Sequence, residues 1–185
     1  MEKPFKLVTI DYVVKHQQEL IRDITHSAKS LYKFGILDTS LVHGSYTQYN
    51  IFGATSPSPH MYQLFKEIRD IVRDQMPTGK LWIQSWVNHH YENELLGWHN
   101  HSSKFHGYIS IAPMHTNTEF EDFTIENKVG QLYFGPGGLR HRVVPTSDMP
   151  FEDKRITIAF DIMTEENFTG DDILPTDNYG CIPLL

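Results

Sequence analysis

The chain has 185 residues, 39% of them hydrophobic and 21% charged, with a formal net charge of −7 and a single cysteine. That length suits one well-packed domain, and the even spread of apolar and charged residues excludes a disordered chain. The acidic balance disfavours nucleic acid as a partner, since the nearest basic run, Lys154 with Arg155, is too short to neutralise a row of phosphates.

Cys181 stands alone, so an intrachain disulfide and a cysteine-based zinc site are both excluded, and any metal must be held by His, Asp or Glu. No apolar run approaches the ~18 residues of a membrane span. Glu2, Lys3, Pro4 and Lys6 interrupt the apolar residues of the first ten, which removes a signal-peptide pattern. A cytoplasmic protein with no membrane partner is the expectation.

In chain order, residues 11–33 carry Val14, Leu20, Ile21 and Ile24 in a polar background, an imperfect periodicity that predicts a helix. Residues 38–58 are rich in Gly, Ser, Thr and Tyr and predict irregular structure with one short strand at most. Their composition makes them a candidate lid. In "SPHMYQLFKEIRDIVRDQM" Ser58 can cap, Pro59 suits the first helical position, and Met61, Leu64, Phe65, Ile68, Ile71 and Val72 share one face.

From Leu81 the period changes to two. "KLWIQSWVNHHY", "HGYISIA", "GQLYF", "LRHRVV" and "RITIAFDI" are short β-rich segments separated by Gly, Pro, Asn and Asp. Helices first and short strands afterwards predict antiparallel sheets in a sandwich or barrel, with the helices on one outer face. The organisation expected is one domain: a helical and irregular part (1–79), a β core (80–163) and an acidic tail (164–185) that wraps the domain or serves an oligomer contact.

Of the 11 histidines, His16, His26, His43 and His60 fall in the helical or irregular part and are most simply surface or capping residues. His99 and His101 differ, because residues i and i+2 of an extended chain point to the same face, so both imidazoles can reach one ion. Neutral imidazole suits divalent iron, zinc, copper and nickel, and two ligands need a third. His141 is the best candidate for it, between a glycine-rich turn and a β-branched run. Fourteen residues later, Arg155, Thr157, Ala159 and Asp161 share one strand face while Ile156, Ile158, Phe160 and Ile162 share the other. A guanidinium on an inward face needs an anionic partner, which a bound carboxylate supplies.

The set "SWVN", "HNHSSKFHGYISI", "GQLYFGPGGLRHRVVP" and "RITIAFDI" resembles the 2-oxoglutarate/Fe(II)-dependent oxygenases, within them a group of small oxygenases with an HxH pattern, over roughly residues 80 to 163. The resemblance implies a mostly β double-stranded β-helix, a cupin-like jelly roll. It implies Fe(II), 2-oxoglutarate and O2 as cofactors, with oxidation of a small molecule or side chain and release of succinate and CO2. Carried over, His99, His101 and His141 are the iron ligands and catalytic centre, while Arg155 and Thr157 hold the distal carboxylate of 2-oxoglutarate. Asn88 and Tyr108 join these two as candidates for cosubstrate binding, and Trp86, Asn88 and Asp161 for lining the pocket. His106 and His115 are read as supporting or surface residues, and of His89 and His90 only one can look inward.

Two positions depart from the family pattern. His101 stands where most of the superfamily has a carboxylate, and Ser110 where a tyrosine is often found, with Tyr108 two residues earlier on the same face. The first departure leaves an extra positive charge on the iron. It keeps two other readings open: a three-histidine cupin-like metalloprotein that does not use 2-oxoglutarate, favoured if Arg155 faces an internal carboxylate, and a non-catalytic jelly-roll binding module.

Overall fold

The computed structural model describes residues 4–33, 35, 49–91, 94–146, 151–168 and 180–185. The helices are α1 (Asp11–Lys15), α2 (Gln17–Lys33), α3 (Ile51–Ala54) and α4 (Pro59–Gln75). The strands are β1 (Lys6–Thr9), β2 (Leu81–His90), β3 (Phe105–Ala112), β4 (Thr116–Phe120), β5 (Thr124–Glu126), β6 (Gln131–Pro136), β7 (His141–Pro145), β8 (Arg155–Thr164) and β9 (Cys181–Pro183).

Among the described residues the strands form two antiparallel sheets, a large one in the order β1-β6-β3-β8-β2-β9 and a small one in the order β5-β4-β7. Two antiparallel sheets with non-sequential neighbours in the large one agree with a jelly roll. Its strands alternate as their sequences require. Ile158, Phe160, Ile162, Ile109, Ile111 and Leu132 are fully buried in one apolar cluster with Val13, Leu20, Ile24, Leu64, Ile68 and Val72 of the helices. Each such side chain stabilises the fold by about 1.5–3 kcal/mol through burial. Gln17 Nε2 ties α2 to the sheet by donating to the carbonyl of Ile111 at 2.7 Å.

The helix expected over 58–76 starts as its residues dictate. Ser58 Oγ accepts from the Met61 N–H at 3.1 Å and Pro59 occupies the first position. The Ser58 hydroxyl also donates to Asp23, joining α2 to the start of α4. Residues 11–33 make two helices, not one, with a break at His16 (φ −118°, ψ 29°). No Gly or Pro marks that break, so periodicity alone cannot show it.

The N-terminal part is not wholly helical and irregular. β1 pairs with β6, four residues being too few to show a period, and β9 extends the sheet beyond β2 from the tail. Within the candidate lid, residues 51–54 form α3, capped by Asn50, whose side chain accepts from Phe52 N–H; residues 38–48, His43 among them, lie outside the described residues, as does 169–179 of the tail. No helix among the described residues is long and apolar enough to cross a membrane.

Candidate metal centre

Residues 99–101 run extended beside the start of β7. His99 and His141 exchange both backbone hydrogen bonds, at 2.9 and 2.8 Å, and the His101 N–H donates to the Gly137 carbonyl at 2.9 Å. Glycine is required at 137, where a Cβ would lie 2.1 Å from the carbonyl oxygen of Ser103. The three imidazoles that the sequence singled out therefore converge, each offering a ligand atom within 4.8 Å of the other two.

Their orientation is set by their other nitrogens. His99 Nδ1 lies 2.8 Å from the Gly97 carbonyl and His141 Nδ1 lies 3.0 Å from the Leu139 carbonyl. A carbonyl only accepts, so both protons sit on Nδ1 and the lone pairs on Nε2. His101 Nδ1 lies 3.3 Å from Asp161 Oδ1, while its Nε2 is buried without a hydrogen-bond partner among the described residues. Burial, with the charge of His106 next, pushes His141 down to about 3, which keeps it neutral and able to ligate.

Behind His101 stands His106, in the supporting one of its two expected places. His106 stacks on His101 with ring centroids 3.6 Å apart and planes 11° from parallel, and its Nδ1 lies 3.0 Å from Asp161 Oδ1. The pairing of β3 with β8 sets His106 directly opposite Asp161. Burial, then the charge of His101, pushes His106 down to about 4. Burial would raise the Asp161 carboxyl, but hydrogen bonds from His101 and His106 outweigh it and hold the group well below the usual carboxylate range. Trp86 closes the side of this stack, its ring centroid 5.9 Å from that of His101.

The inner face continues along β8. Ala159 lies between Trp86 and Tyr108, Thr157 between Asn88 and Ser110, and Arg155 opposite His90. Asn88 Nδ2 donates to Thr157 Oγ1 at 3.4 Å. Arg155 is 2% exposed, its Nε and Nη1 have no hydrogen-bond partner, and no carboxylate pairs with it among the described residues. Burial lowers it to about 10, and Tyr108 acts in the opposite sense. The hydroxyls of Tyr133 and Ser110 are also buried without partners among the described residues. Burial pushes the Tyr108 phenol up to about 12, against the smaller opposing effects of Thr118 and Arg155.

The structure thus gathers His99, His101 and His141 at one place and lays Tyr108, Asn88, Thr157 and Arg155 on the face leading away from it. His90 is buried on that face while His89 is half-buried, as strand parity requires. His115 does not join them: it is exposed at a turn with φ 51°.

No family model matches this chain, nor does any curated protein. Solved structures share its fold. The non-heme alpha ketoglutarate dependent epimerase SnoN from nogalamycin biosynthesis is 12% identical with a TM-score of 0.53, over 87% of this chain and 78% of that one. IDO from Bacillus thuringiensis is 8% identical with a TM-score of 0.52, over 88% and 93%. A full-length Neurospora crassa protein in complex with alpha-KG is 11% identical with a TM-score of 0.50, over 94% and 78%. At such identities the likeness establishes the fold: a mostly β jelly roll of the double-stranded β-helix kind, with helices on one outer face.

Proposed function

We propose that this protein is a non-haem iron(II) oxygenase that uses 2-oxoglutarate and O2 to oxidise, most simply by hydroxylation, a small molecule or a side chain. The observation that carries this reading is Arg155, a buried guanidinium with unpartnered Nε and Nη1 on the face that leads to the three histidines. An unpaired buried charge is costly, and a bound dianion of the right length relieves that cost. An internal carboxylate opposite Arg155 would have favoured a reaction without 2-oxoglutarate, and none pairs with it among the described residues.

The residues fit the metal the reading needs. His99, His101 and His141 would hold iron(II) through Nε2, imidazole nitrogen being a ligand that suits this ion. When bound, iron(II) supplies the redox chemistry by which 2-oxoglutarate, O2 and a C–H bond give succinate, CO2 and a C–OH bond.

The chain's own groups do the rest. Arg155 and Thr157 bind the distal carboxylate and set the cosubstrate's orientation, with Asn88 positioning the Thr157 hydroxyl. Tyr108 lines the same face, and Trp86 excludes water beside His101. Asp161 holds the His101 proton at Nδ1 and returns, one layer out, the negative charge that a directly ligating carboxylate would bring. At 25 °C with iron(II), ascorbate and air, the protein is expected to release succinate from 2-oxoglutarate even without its substrate, and His141→Ala to lose that release. No succinate above a metal-free control would overturn the proposal.

A further inference from the structure

On the opposite side of the large sheet, in the helical layer, a second group of metal-ligating side chains meets. His16 sits at the break between α1 and α2, Glu19 lies in the first turn of α2, and His60 follows Pro59 in the first turn of α4. Each offers a ligand atom within 4.8 Å of the others. The sequence gives no hint of this meeting, since His16 and His60 stand 44 positions apart.

The cluster is ordered in the manner of a ligand set. Tyr12 Oη lies 2.9 Å from His60 Nδ1; with the ring proton on Nδ1 and donated to that oxygen, the lone pair is left on Nε2. His16 Nδ1 is buried, has no hydrogen-bond partner among the described residues, and faces Glu19 Oε1 at 3.7 Å. That separation is too long for a hydrogen bond and leaves both atoms able to serve a common third group. The rings of Tyr12 and His60 flank His16 at 4.4 and 5.0 Å and fix its plane. The three ligand residues are all half-buried, so an ion reaches them from solvent. Asp23 adds negative charge beside His60 while accepting from Ser58 Oγ, the cap of α4.

We propose that His16, Glu19 and His60 form a second divalent-metal site, of the two-imidazole, one-carboxylate type that suits zinc, which clips the α1–α2 turn to the start of α4. Two nitrogens and one oxygen at a half-exposed site leave a fourth position for water. The break at His16 acquires a reason on this reading, since it presents the His16 ring toward His60. The site is independent of the proposed oxygenase reaction, because the sheet lies between the two groups.

Zinc titration against a chromophoric chelator tests it in the full chain. Wild type is expected to bind about one zinc equivalent more than the His16→Ala/His60→Gln double variant. Glu19→Gln, a partly exposed change that leaves the helix packing alone, and Tyr12→Phe, which frees the His60 ring, should each weaken that equivalent by about 10- to 100-fold. Equal stoichiometry in wild type and double variant overturns the proposal, as does unchanged affinity in Glu19→Gln. Since the comparison reads only the helical layer, a protein that releases no succinate yet shows this difference loses the proposed reaction and keeps the second site.

Discussion

On the outer face of β8, Ile156, Ile158, Phe160 and Ile162 meet the helical layer and are 0–3% exposed, while on the inner face of the same strand Arg155, Thr157 and Asp161 are 0–6% exposed. Burial is equal, but its consequence is not. The outer side chains are apolar and lose nothing by leaving water, so their burial is direct stabilisation. Inside, a guanidinium, two hydroxyls and a stack of imidazoles have left water with only part of their hydrogen bonding restored. Such groups cost stability, and a bound ion and acid would restore what they lack. One strand thus holds the fold together with its even-numbered residues and holds the site with the odd-numbered ones.

The contrast can be broken most severely from the outer side. Phe160→Ala deletes a fully buried ring that packs on Gly107 and Phe134. It should cost about 3–5 kcal/mol of unfolding free energy by denaturant titration.

Next in size is the pH dependence of the inner face in the metal-free protein. The unfolded imidazoles take a proton below about 6.5, whereas His106 does so only near 4 and His141 only near 3. Between these limits the unfolded chain binds more protons, so stability is full above about 6.5 and is lost as pH falls toward 4, by roughly 3 kcal/mol from His106 alone. Asp161, whose folded value is depressed, adds stability that is present above about 3.9 and lost only below it. Denaturation midpoints measured from pH 7.5 to 4.5 on metal-free protein should therefore fall steadily; a flat profile would mean that the inner histidines are not held neutral.

Legibility in the sequence followed the same division. Strands with an apolar outer face, β2, β3, β6 and β8, show period two because Ile, Val, Leu or Phe occupies most of the alternate places. β4 does not, since its buried positions are Thr116, Thr118 and Phe120, and threonine does not register as apolar. β1, β5 and β9 are three or four residues long, shorter than any period can show. The HxH spacing, the late His141 and the Arg155 strand were readable because extended-chain parity alone assigns their facing.

Which of its two readings, supporting or surface, His106 takes was not, because its stacking on His101 and its bond to Asp161 arise from the register between β3 and β8, which parity leaves undetermined. The meeting of His16 with His60 depends on how two helices dock, for which a sequence pattern carries no coordinate. Trp86 is buried at 9% exposure with its ring beside those of His101 and His106, a neighbourhood that likewise follows from strand register.

The measurement that bears most directly on the inner face is an anaerobic titration with iron(II) and then 2-oxoglutarate, followed by the visible charge-transfer band of a chelated 2-oxo acid, in wild type and in Arg155→Met. Methionine keeps much of the volume and removes the charge, so the unliganded variant should be as stable as wild type or more so. The band is expected in wild type, and in Arg155→Met the 2-oxoglutarate concentration needed to reach it should rise at least about thirtyfold, as for a lost buried charge pair. Iron binding without the band, or a variant that takes up 2-oxoglutarate as readily as wild type, would contradict the account.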